Sequence, residues 1–65
     1  MLELEQAQLR EQFESLLTQQ KQALAAYAEL AAKLDDPAMR GHLAQLQRDK
    51  QRHIELTERL LEIVA

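Results

Sequence analysis

Lys50, His53 and Thr57 stand three and then four residues apart, the spacing that lines side chains along one face of an α-helix. Each brings a chemistry. The imidazole of His53 can ligate a metal or move a proton near neutral pH. Burial would make Lys50 a reactive amine, and Thr57 offers a hydroxyl. All three occupy positions where leucines are expected, and Gln20 interrupts an earlier apolar row in the same way. No Ser-His-Asp order, glycine-rich phosphate loop, Cys-x-x-Cys pair or close pair of carboxylates accompanies them, so the usual enzyme signatures are missing. The reading that remains is a hydrogen-bonded polar layer in an apolar seam. Asp49, four residues before His53, is placed to pair with it across one helical turn. His42, near the start of the same helix, reads as surface.

The elements that must hold these residues are helices. In 65 residues there is one Gly, one Pro and no Cys, and the remainder is dominated by Ala, Leu, Gln, Glu, Lys and Arg. The one strong punctuation is "LDDPAMRG", in which Asp36 suits an N-cap and Pro37 the first helical position. Helix 1 is therefore expected over about 2–34, a turn at 35–37 and helix 2 over about 37–64. So short a turn between long helices makes an antiparallel hairpin, a single domain spanning 1–65.

Along helix 1, Phe13, Gln20, Tyr27 and Leu34 recur every seven residues, as do Leu2, Leu9, Leu16, Ala23 and Leu30, with Leu17, Leu24 and Ala31 widening the stripe. Helix 2 answers with Leu43, Lys50, Thr57 and Val64, and with Met39, Leu46, His53 and Leu60. This is the period of a seam between packed helices. Ile54, Leu56, Leu61 and Ile63 make the end of helix 2 apolar on several sides, more than one hairpin partner covers. Phe13, Leu17, Leu24, Tyr27, Ile54, Leu56, Leu61 and Ile63 are the residues expected to associate with another chain. A chain this small has little interior and no disulfide to supplement it, so self-association into a four-helix bundle follows. With the turn centred at Asp36 and Pro37, Gln20 falls opposite His53, Ala23 opposite Lys50 and Leu16 opposite Thr57, which gathers the polar layer at one level.

Tyr27, the Asp36-Pro37 turn and His53, together with the segment "DPAMRGHLAQLQRDKQRH", resemble the ferritin-like superfamily. The likeness is to its short two-helix encapsulated-ferritin and rubrerythrin-like hairpins, and it covers about Gln20 to Leu61. It implies dimerisation into a four-helix bundle and, in the family, a di-iron centre held by Glu residues and a Glu-x-x-His motif. Here Gln20 stands where the first Glu is expected and Lys50 where the Glu of Glu-x-x-His is expected, leaving His53 alone of the ligand set. One His and an amide do not neutralise two iron ions. A divalent cation about 4 Å from Lys50 would face roughly 8 kcal/mol of repulsion at an effective dielectric near 20.

The resulting expectation is a non-catalytic, all-α protein, a ferritin-like bundle without a competent iron site that acts by protein–protein association. It takes no cofactor and has no catalytic residue, with His53 as the one metal candidate. The partner expected is a second copy. An iron-binding alternative would recruit Glu14, Asp49 and His53 as a ferroxidase or iron store. Another alternative is a small cochaperone, since hairpins of this size also resemble the cochaperones of bacterial secretion systems that clamp a larger helical partner. Eight Lys and Arg against eleven Asp and Glu, a net charge of −3 with signs interspersed, argue against nucleic acid. The polar face is not rich in Lys and Arg, which argues against a membrane surface. No run approaches a membrane span, "MLELEQAQ" does not read as a signal peptide, and Cys is absent, so a soluble cytoplasmic location is expected.

Overall fold

The computed structural model describes residues 2–65, which form two α-helices, α1 (Leu2–Lys33) and α2 (Pro37–Val64), packed as an antiparallel hairpin. α1 runs unbroken because nothing between Leu2 and Lys33 interrupts helical backbone. Glu3 and Glu5 in its first turn and Lys33 in its last complement the helix dipole. The start of α2 rests on its cap. Asp36 lies in extended backbone (φ −74°, ψ 116°), as the residue before a proline prefers, and its carboxylate accepts from the Ala38 amide at 3.0 Å. Pro37 opens the helix where its missing N–H costs nothing. No acidic side chain supports the first turn of α2, so Asp36 alone supplies the negative end.

Helix 1 stops at Lys33, so the turn is centred at Asp35 rather than at Asp36 and Pro37. The far end of the hairpin is closed by the Gln6 side-chain amide, which donates to the Val64 carbonyl at 3.0 Å and holds the start of α1 beside the end of α2. Counted from a turn centred at Asp35, Gln20 falls level with Lys50. The sequence-based register, which put Gln20 opposite His53, is off by about one helical turn, because it centred the turn between Asp36 and Pro37, where Asp36 is the cap of α2 and Pro37 its first residue.

The covered stripe follows one seven-residue pattern on each helix. On α1 it consists of Phe13, Leu17, Gln20, Leu24, Tyr27 and Ala31, continued by Leu34 just past the helix, all half-buried; on α2 it runs Leu43, Gln47, Lys50, Ile54, Thr57, Leu61 and Val64. Among the described residues, only Leu43, Ile54 and Thr57 are buried, and none of them completely. The interior is thin. The molecule is a rod of 53 × 14 × 11 Å with a radius of gyration of 15.3 Å, where a compact chain of this length has about 11 Å.

Candidate association surface

The polar residues singled out from sequence divide between two faces. Thr57 is 3 % exposed and donates its hydroxyl to the His53 carbonyl at 2.9 Å, one turn back in its own helix. Its buried oxygen is satisfied locally and asks nothing of α1. Gln20 and Lys50 are half-buried at one level of the seam, and the buried Gln20 Oε1 has no hydrogen-bond partner. His53 is not in the seam. It is exposed, one residue ahead of buried Ile54, so the proposed four-residue polar layer loses its imidazole. Nor does Asp49 pair with it: Asp49 accepts from the Gln45 amide at 3.2 Å, while the Gln45 carbonyl takes Arg48 Nη2 at 2.8 Å. His42 is exposed.

The residues expected to meet another chain are redistributed as well. Phe13, Leu17, Leu24, Tyr27 and Leu61 are half-buried and Ile54 is 4 % exposed, so these six line the intramolecular seam. Leu56 and Ile63 alone of that set are exposed, Ile63 by 75 %. Most of the second heptad row is exposed instead. Leu9, Leu16 and Leu30 on α1 and Met39, Leu46 and Leu60 on α2 are each between 41 and 51 % exposed. The side chain of Leu2, the first member of that row, lies outside those described.

These residues form one surface because of where they sit in the heptad. Each of Leu16, Ala23 and Leu30 precedes a seam residue, Leu17, Leu24 or Ala31; each of Leu46, His53 and Leu60 likewise precedes Gln47, Ile54 or Leu61. In an antiparallel pair, positions just ahead of such seam residues project to the same flank on both helices. The flank therefore carries four rungs, Leu9 with Leu60, Leu16 with His53, Ala23 with Leu46 and Leu30 with Met39. The opposite flank carries Glu14, Lys21, Gln51 and Glu58, all exposed.

The molecule exposes 5164 Å², whereas a compact monomer of 7.5 kDa exposes about 4,250 Å². The difference, roughly 900 Å², is close to the area of about 800 Å² that each partner buries in a standard protein interface.

The donor set does not fit a di-iron centre within one hairpin. The level where the ferritin-like ligands are expected offers an amide from Gln20 and an ammonium from Lys50, neither of which neutralises a cation. Among the described residues, no three His, Cys, Asp or Glu side chains are grouped to hold a metal ion. No helix among them is long and apolar enough to cross a membrane. Comparison of the chain with known protein families, with curated proteins and with solved structures finds no match.

Proposed function

We propose that the chain is a non-catalytic helical scaffold that acts by associating with itself, two hairpins packing their rung faces together into a four-helix bundle. The observation that carries this reading is the second apolar row, repeated every seven residues on both helices and left uncovered by the hairpin. Helices of four-helix bundles present a stripe three positions wide per heptad, and the seam together with the rung row makes such a stripe on both helices. In that assembly Lys50 and His53 both face the bundle interior, the arrangement that the ferritin-like resemblance implies. Lys50 then stands where a cation would sit, and the role is structural.

Native mass spectrometry of the purified chain, with and without ferrous iron, tests the proposal. The expected species is a dimer at twice the chain mass that retains no iron. A monomer at every concentration would overturn the association, and one or two iron ions retained per dimer would overturn the non-metal role.

A second reading has its own observation. Leu56 and Ile63 flank the rungs on the outer side of α2 near its end, and Ile63 is the most exposed of the large apolar residues described. They suit a larger helical partner clamped at that end, as a cochaperone would clamp it. A chain that stays monomeric alone and becomes ordered only with such a partner would favour this reading.

A further inference from the structure

The rung face is not the same from end to end, and two independent gradients run along it. The first is side-chain volume. The outer rungs, Leu9 with Leu60 and Leu30 with Met39, each hold two large apolar groups. The inner rungs differ, since Leu16 and His53 are bulky whereas the next rung has only a methyl at Ala23 beside Leu46. The second is charge. Residues 2–14 and 55–65, which make up the end bearing the chain termini, carry seven glutamates against Arg10 and Arg59, net −5. The middle, 15–25 with 45–54, has Lys21, Arg48, Lys50 and Arg52 against Asp49, net +3. The turn end, 26–44, has three acids against Lys33 and Arg40, net −1.

We infer that a second copy seats on this face antiparallel, its turn end against the acidic end of the first. The inference rests on the self-association proposed above and adds its orientation. A two-fold axis along the rod would bring each rung onto its own copy. One layer would then hold two Ala23 side chains and be underfilled, the next would crowd two His53 rings, and the two acidic ends would lie side by side. A two-fold axis across the rod exchanges the inner rungs, so the bulky Leu16 and His53 pack over the space left by Ala23, the alternation of large and small that fills a core. It also parts the two acidic ends by most of the 53 Å rod, several times the screening length of about 8 Å at physiological salt. Each then lies beside a nearly neutral turn. Volume and charge select the same orientation.

The chain has no Cys, so one introduced thiol is a unique attachment point. Asp35→Cys lies in the exposed turn, beside the capping residue but not replacing it, and Glu5→Cys lies exposed at the other end. Spin labels on Asp35→Cys, read by pulsed dipolar spectroscopy in the dimer, are expected near the length of the rod, 53 Å. A mixture of the two labelled variants should add a short distance, one bundle width or less. A short distance in the Asp35→Cys dimer alone would overturn the orientation and leave the self-association standing. No dipolar coupling in either sample, together with a monomer mass, would overturn the self-association itself.

Discussion

The hairpin has two apolar faces of opposite character. Its seam is covered, yet places Gln20, Gln47, Lys50 and Thr57 among its hydrophobic residues; its rung face is open, yet is built of Leu and Met apart from Ala23 and His53. Leucines left in water while polar groups occupy covered positions invert the usual distribution. The inversion is what the proposed association accounts for, since in it the two-helix unit is only part of the core. In the proposed bundle the rungs become interior and the seam becomes its inner layer, where polar groups fix register at some cost in stability.

Substitutions on either face break or sharpen this contrast. Leu16→Glu should have the largest effect, because a two-fold assembly loses the side chain twice. Each copy forfeits about 2–3 kcal/mol of apolar burial, and a charge is stranded in the interface. Sedimentation and circular dichroism should show dimer and helicity lost together; a fully helical monomer would mean that the hairpin stands alone and that the contrast is ornamental. On the seam, Ile54→Ala should lower the urea unfolding free energy by about 2–5 kcal/mol. Exposed Leu4→Ala should stay within about 0.5 kcal/mol of the parent, and equal losses at the two sites would erase the distinction between faces. Gln20→Leu removes a buried carbonyl oxygen without a partner and should raise stability by about 1–3 kcal/mol. In exchange it should admit a wider range of oligomers in native mass spectra. A more stable variant that remains a clean dimer would show that Gln20 does not set register. A smaller gain than that of Gln20→Leu is expected at Gly41→Ala. It lies in helical backbone, the added methyl meets nothing within 4 Å, and the gain should be about 0.5–1 kcal/mol in thermal unfolding.

Both helices and the break between them were legible in the sequence because their signals are local: Asp36 and Pro37 act within one turn of backbone, and no breaker precedes them. Which apolar row closes the hairpin was not legible. The two rows on α2 stand one position apart, Gln47, Ile54 and Leu61 against Leu46, His53 and Leu60, and each mixes apolar with polar residues. The choice is made across the chain, by where the turn centres. Helix 1 yields at Lys33, the turn moves to Asp35, and the level of every pair shifts by about one helical turn. Gln20 and Lys50 thus share a level that sequence counting assigned to Gln20 and His53, and the residues expected to bind another chain are mostly those that bind the other helix. Nothing local in the sequence distinguishes a leucine that faces its own hairpin from one that faces out.

The Gln6 to Val64 hydrogen bond joins positions 58 residues apart, whereas the turn joins helices separated by three. Closing the chain near Tyr27 and Leu43 needs only a short loop, and every further rung adds little to the loop already closed. The hairpin should therefore zip from the turn toward the termini and open in the reverse order. Backbone amides beside Leu43 should outlast those beside Glu62 in hydrogen exchange, a gradient of lifetimes along the rod.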